Sequence, residues 1–259
     1  AEITLMENGQ RVFIETHSAT LQLDAQGTIN ESPGDINLTA FAQSTTMATI
    51  GQCFGVKLPD QPVRTSASIT RNGNGNSIAL SKLRFDSDVI GIEGLASINL
   101  APELSFDTKL DIKVPNARNL VDGLMKNPGS VSAFPFESSL SVHGSKKLVV
   151  LDDFEINAGE HTGRASGSLG EAFTWHGLDL DLALSGQDLR YLFKDASSTL
   201  SRAKPYSLNT TIQNQQGIWV VNQLHASVAN STVDLSARIS DNPQHVGSAF
   251  QINAEGRNI

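Results

Sequence analysis

Four stretches of this chain superpose without a gap: Val12–Ile29, Ser81–Ile98, Asp152–Leu169 and Asn222–Ile239. Their closing apolar residues, Ile29, Ile98, Leu169 and Ile239, lie 69, 71 and 70 residues apart. Pro33, Pro102 and Pro243 each follow such an anchor by four residues, and Pro62, Pro135 and Pro205 each open a strand-like run. Self-similarity at a fixed period is the signature of a repeat architecture. A stack of repeats presents a long surface rather than one pocket.

Each unit reads the same way. After the landmark proline, apolar and polar residues alternate, as a half-buried strand requires. Val63, Thr65, Ala67 and Ile69 oppose Arg64, Ser66, Ser68 and Thr70. Phe136, Ser138, Leu140 and Val142 oppose Glu137, Ser139, Ser141 and His143. Tyr206, Leu208, Thr210 and Ile212 oppose Ser207, Asn209, Thr211 and Gln213. Turns follow at Asn72–Gly75, Gly144–Lys146 and Asn214–Gly217, built from residues that tolerate tight hairpins. A second strand returns over Ile78–Phe85, Leu148–Ile156 and Ile218–Ala226, and its alternation slips near Ser81, which predicts a bulge. The third strand carries the anchor, with Leu95 an apolar exception on its polar face. A fourth spans Leu104–Val114 or Leu178–Leu184, with Asp35–Ala40 as the earlier equivalent.

The period then changes to that of a helix at Met47, Ile50 and Phe54, at Leu120 and Leu124, and at Leu189, Leu192, Phe193 and Leu200. Asn116 and Asp188 are placed to cap. The expected fold is therefore mainly β. Tandem repeats of about four antiparallel strands plus one short helix form an elongated, curled, taco-like β-groove. The expected boundaries are the tail of a truncated repeat at 1–35, repeats at 36–103, 104–177 and 178–249, and the start of another truncated repeat at 250–259.

Little in the chain points to catalysis. His17, His143, His161, His176, His225 and His245 are scattered outside any HExxH or CxxC context. His143 falls on a polar face and His161 in a turn, and both read as exposed side chains. Asp152 and Asp153, as neighbours on a strand, are expected on opposite faces and so unable to share a metal. Cys53 is the only cysteine, which excludes an internal disulfide and a multi-cysteine metal site. The glycines of Gly159–Gly170 lack phosphate-loop spacing. No catalytic residue, metal or cofactor is expected. A net charge of −8 without a basic stripe argues against nucleic acid.

The strand–helix junctions carry a resemblance. Leu182-Ala183-Leu184-Ser185-Gly186-Gln187-Asp188-Leu189 is followed by Pro205-Tyr206-Ser207-Leu208 and Trp219-Val220-Val221-Asn222-Gln223-Leu224. The run from Val228 through Asp234-Leu235 to Ile239 completes it, and Asp107–Leu120 is a looser copy of the junction. This pattern, which extends over nearly the whole chain, resembles the AsmA-like superfamily of Gram-negative envelope proteins (the AsmA, TamB and YhdP type). The resemblance implies a periplasmic protein whose parent is anchored in the inner membrane by an N-terminal helix absent here. It implies a non-enzymatic bridge that carries phospholipids between inner and outer membrane along an apolar groove, with membrane proteins as partners at its ends. The alternative within the same resemblance is an envelope assembly scaffold serving outer-membrane protein biogenesis. The inward phase of each strand supplies the expected lining for phospholipid acyl chains: Leu83, Phe85, Ile92, Ile98, Phe106, Leu110, Leu140, Phe154, Ile156, Leu169, Leu208, Ile212, Leu224, Leu235 and Ile239.

Overall fold

Alternating polarity over short runs commits the backbone to strands, and the computed structural model is mainly β. It describes residues 2–5, 10–17, 20–29, 34–48, 60–71, 75–124, 134–171, 177–191, 203–215, 217–240 and 250–257. Pro33, Ile50, Cys53, Phe54, Asn72–Asn74, His176, Leu192, Phe193, Leu200, Gln216, Pro243 and His245 lie outside the described residues. The chain divides into two units, 1–137 and 138–259.

The first unit holds β1 (Glu2–Leu5), β2 (Gln10–His17), β3 (Leu21–Ile29), β4 (Ile36–Ser44), β5 (Val63–Arg71), β6 (Ser77–Ser87), β7 (Gly91–Asn99) and β8 (Ser105–Val114). The helix α1 (Ala117–Leu124) follows β8. From β9 (Phe136–Ser145), which begins at the division, come β10 (Val149–Ala158), β11 (His161–Gly170), β12 (Leu178–Gly186), β13 (Tyr206–Gln215), β14 (Ile218–Val228), β15 (Ser231–Ser240) and β16 (Phe250–Arg257). Antiparallel pairings join β1 through β8 in chain order, and β10 through β16 likewise. β1 has no counterpart in the sequence reading, because four residues are too few to reveal a period.

Register decides which face each side chain occupies, and here it keeps apolar opposite apolar. Phe85, Ile92 and Ile112 are paired across β6, β7 and β8, as are Ile78, Ile98 and Phe106. In the second unit Leu184, Leu208 and Ala226 are paired across β12, β13 and β14, and Leu224 faces Leu235. The anticipated bulge lies where the alternation slips. Ser81 and Lys82 together oppose Leu95, because the register jumps from Leu80↔Ala96 to Leu83↔Gly94. The same two-against-one arrangement places Asp152 and Asp153 opposite Ser166, and Asn222 and Gln223 opposite Ser236. Lys82 and Gln223 take positive φ (51° and 47°) to make it. Absorbing one extra residue returns Leu83 and Phe85 to the face of Ile78 and Leu80.

The connections after β4, β8 and β12 share one construction. Thr46, Asn116 and Asp188 each accept a hydrogen bond from the backbone N–H two residues on, at 3.1, 3.0 and 3.0 Å. These are N-caps. The N–H of Met47, Ala117 and Leu189 then donates to the carbonyl of Gln61, Phe134 and Lys204, closing the chain back onto the next strand. Two of the three caps match the sequence reading; Thr46 was not anticipated. The helical residues described are Met47–Ala48, α1 and a single 3-10 turn at Leu189–Tyr191.

Among the described residues little of the apolar content is fully enclosed. Met47, Val63 and Val89 form a small core with Phe85 and Ile90 against it, and Val114, Ala117, Leu151, Leu178 and Tyr206 are the other buried apolar residues described. Close approach of strands matters more: a Cβ on Gly94 would collide with the Lys109 carbonyl and the Leu110 side chain. Gly94→Val should therefore cost about 2–3 kcal/mol, read as a lower urea midpoint with an unchanged slope. A midpoint equal to wild type would show that β7 and β8 are not held this closely.

Candidate functional site

Fourteen of the fifteen expected lining residues are half-buried, Ile239 is 41% exposed, and none is enclosed. In the first unit the register gathers six of them on one face of β6, β7 and β8. Phe85 pairs with Ile92 and Ile98 with Phe106, while Leu83 and Leu110 flank Gly94. In the second unit Phe154 and Ile156 face Ala165 and Gly163, Leu169 faces Leu178, and Ile212 lies between Leu180 and Val221. Leu208 stands beside Leu184, Leu224 faces Leu235, and Ile239 faces Trp219. Leu140 is half-buried on β9.

The same face holds residues that the lining set omitted. Leu180, Leu182 and Leu184 on β12 are half-buried and in register with it, and their alternation is plain in the sequence. In the first unit Leu23, Ile29, Ile36 and Leu38 extend it over β3 and β4. In the first unit a charged residue interrupts it. Arg71, at the end of β5, pairs with Ile36 on one side and Ile78 on the other. Its Nε is shielded from solvent and has no hydrogen-bond partner.

The opposite face is polar and cross-linked. Arg84 bridges Asp86 and Glu93 at 2.6 and 3.7 Å, Arg164 meets Glu155 at 3.5 Å, and Thr211 donates to Asp181 at 2.6 Å. His143 and His225 lie 2.8 and 2.7 Å from Asp152 and Asp234. The Asp86 carboxylate beside it raises the Arg84 pKa above the usual arginine value. Asp152 and Asp153 correct the sequence reading. Both are exposed, Asp152 bonded to His143 and Asp153 beside Arg164 and Ser166, because the bulge turns two consecutive side chains toward one face. Among the described residues no group of three or more His, Cys, Asp or Glu is arranged to hold a metal.

Two shallow hollows on the polar side of the second unit coincide with bulges. One, of about 390 Å³, includes Asp153, Arg164, Ser166 and Asp181; the other, of about 640 Å³, includes Gln223, His225, Asp234 and Ser236. The serine opposite each bulge is too small to fill the gap that the extra residue opens. Opposite the bulge at Ser81-Lys82 stands Leu95, 49% exposed, which places the exception in the alternation where the sheet is locally widened. The first hollow mixes opposed charges, Asp153 and Asp181 with Arg164, and the second holds Asp234 and Glu255 beside His225.

His161 also departs from expectation. It is 8% exposed at the start of β11, and its Nδ1 lies 2.8 Å from the Tyr206 hydroxyl with the rings stacked at 5.8 Å. Both rings pack over Gly186, where a Cβ would strike them. Burial raises the Tyr206 pKa. The turn is one residue earlier than the sequence suggested, at Gly159-Glu160, so His161 begins the apolar phase that Gly163 and Ala165 continue. Nearby, the Arg190 guanidinium binds Asp188 in a fork at 2.6–3.0 Å and holds its carboxyl below the usual 3.8.

Among the described residues no helix is long and apolar enough to cross a membrane. Comparison with models of protein families, with curated proteins and with solved structures gives no match.

Two outcomes are expected here. Tyr206→Phe removes the hydroxyl from His161 and should lower stability by about 1 kcal/mol, measured by urea unfolding at pH 7; an unchanged midpoint would mean the contact contributes nothing. Asp188 has a depressed native pKa, so its contribution is complete above the unfolded value and is lost as pH falls through the native one. Melting temperature followed from pH 6 to pH 2 should fall less steeply for Asp188→Asn than for wild type, and parallel acid limbs would contradict this.

Proposed function

We propose that this chain is a section of a periplasmic, bridge-like lipid carrier of the AsmA-like type. Its repeats curl into a taco-like groove, and phospholipids move between the inner and outer membranes with their acyl chains against the apolar face. It carries out no covalent chemistry. The observation that supports this most directly is the state of the fifteen lining residues: all are apolar and none is enclosed, and within each unit the register gathers all but Leu140 on one face. An ordinary sandwich would seal such a face against a second layer.

The energetics favour the reading. Each CH₂ withdrawn from water is worth about 0.8 kcal/mol, so two acyl chains crossing an aqueous gap unaided face a barrier on the order of 20 kcal/mol. A continuous apolar strip lowers that barrier while the head group stays wet. Recurrence of the same cap, the same closing backbone bond and the same bulge supports a tandem array. An array gives the cargo similar surroundings at each step, and shallow uniform affinity moves cargo where a tight pocket would trap it.

Organic extracts of the purified protein, analysed by mass spectrometry, should contain phospholipid. Leu110→Glu or Leu235→Glu should reduce the bound lipid at least tenfold while leaving circular dichroism unchanged, since a buried charge is costly only when lipid covers it. Lipid-free wild-type protein would sink the carrier reading. If these glutamate variants still supported insertion of outer-membrane proteins, the assembly-scaffold reading would replace it.

A further inference from the structure

One row of the apolar face in the first unit crosses six consecutive strands through direct register pairs: Ile29, Ile36, Arg71, Ile78, Ile98 and Phe106. Five positions are apolar and the third is a guanidinium. A cation among isoleucines gains from a compensating group, because any part of it shielded from water without a partner is costly. Arg71 is half-buried; among the described residues it forms no ion pair, and its shielded Nε makes no hydrogen bond. Arginine does not relieve the cost by losing its proton. Its planar fork matches the paired oxygens of a phosphate.

Position within the unit adds to this. Every buried apolar residue described in the first unit belongs to the strand ends and connections on the side of Met47 and α1: Met47, Val63, Val89, Val114 and Ala117. Arg71 is at the other end of β5. There the β7–β8 turn carries Leu100 and Leu104, 46% and 59% exposed. Among the described residues the buried apolar side chains gather at one margin of the sheet, and the arginine stands at the other. Tyr206 in the second unit matches Val63 as the first residue of its strand, and eight residues on stands Asn214. That side chain is satisfied within the protein, its Oδ1 accepting the Gly217 N–H at 3.2 Å. The arginine has no such use.

We propose that Arg71 is a head-group site: its guanidinium takes the phosphodiester of a glycerophospholipid whose acyl chains lie over Ile36, Ile78 and Ile98. This rests on the carrier reading and specifies it. The ligand must carry a phosphate next to hydrocarbon, because the Ile36 and Ile78 strands flank the guanidinium at about 4.8 Å on either side. A free phosphate uses the charge and leaves these neighbours bare.

Detergent-free protein is incubated with phosphatidylcholine vesicles containing either tritiated dioleoylphosphatidylglycerol or tritiated dioleoylglycerol, then separated and counted. Wild type should retain the phospholipid about tenfold better than the diacylglycerol, the worth of a charge-assisted pair. Arg71→Gln should retain both at the diacylglycerol level, and Arg71→Lys should recover part of the preference. Circular dichroism and melting verify that each variant folds. Wild type that retains both lipids equally, or Arg71→Gln that keeps the preference, overturns the head-group site and leaves the carrier reading standing. Retention of neither lipid by wild type overturns both. Arg71-dependent broadening of the inorganic phosphate ³¹P resonance without any lipid preference assigns the arginine to free phosphate and overturns the site as well.

Discussion

Register is the constraint on which everything else in this protein depends. A strand alternates its side chains between two faces, so a slip of one residue against its neighbour would exchange the faces wholesale. Within each unit the pairings avoid that exchange across many strands. The bulges show how strongly the segregation is kept. Leu80 and Leu83, Leu151 and Phe154, and Val221 and Leu224 are each separated by an odd step that should put them on opposite faces. Each time, an extra unpaired residue restores the phase. The backbone gives up regular pairing at these points and takes positive φ at Lys82 and Gln223, non-glycine residues for which that conformation is uncommon. Such a local cost is worth bearing only if the integrity of the apolar face contributes more.

What was legible in the sequence follows from the same constraint. Period-two alternation, glycine and asparagine turns, and spacing near seventy residues are local or self-referential signals. They located the strands, the bulge at Ser81 and the caps at Asn116 and Asp188. Features that depend on three-dimensional neighbours were not legible in this way. His161 looked like a turn residue because Gly159 and Glu160 precede it; its burial comes from Gly186 and Tyr206, forty-five residues away in the latter case. Asp152 and Asp153 were assigned to opposite faces by the alternation rule at the point where a bulge suspends that rule. Arg71 fell between the strand read at Val63–Thr70 and the turn at Asn72, and its oddity exists only once Ile36 and Ile78 are seen on either side. Leu180, Leu182 and Leu184 carried a readable pattern and belong with the lining residues by register.

Among the described residues few side chains are enclosed to stabilise the sheet. In the first unit the largest fully buried side chains, Val63 and Val114, lie at strand ends where the chain folds back. Backbone ladders, cross-strand pairs on the polar face and the closing bonds at Met47, Ala117 and Leu189 therefore carry a larger share of the stability than in a sandwich. The apolar face is then free of the requirement to pack tightly. Half-buried isoleucines and leucines lose little dispersion energy when a mobile chain lies on them and leaves again. That property is what the proposed carriage of acyl chains asks of a surface, and a jigsaw core would not provide it.

Uniformity and a singular arginine pull in different directions, and their sizes decide the outcome. A carrier needs each step along the surface to cost little, so a strong local site would hold the cargo. A charge-assisted pair at a partly wet position strengthens binding by about tenfold, a small multiple of thermal energy. Against the barrier of about 20 kcal/mol that the proposed carriage would have to lower, that increment would slow passage only slightly. It acts on orientation instead. Hydrocarbon contacts are non-directional and do not distinguish one margin of the sheet from the other. A guanidinium at one margin does, because a phosphate drawn to Arg71 would keep the head group in water on the side of Leu100 and Leu104 and turn the chains toward Ile78 and Ile98. A single fixed charge is enough to set that direction, and a row of them would anchor the lipid.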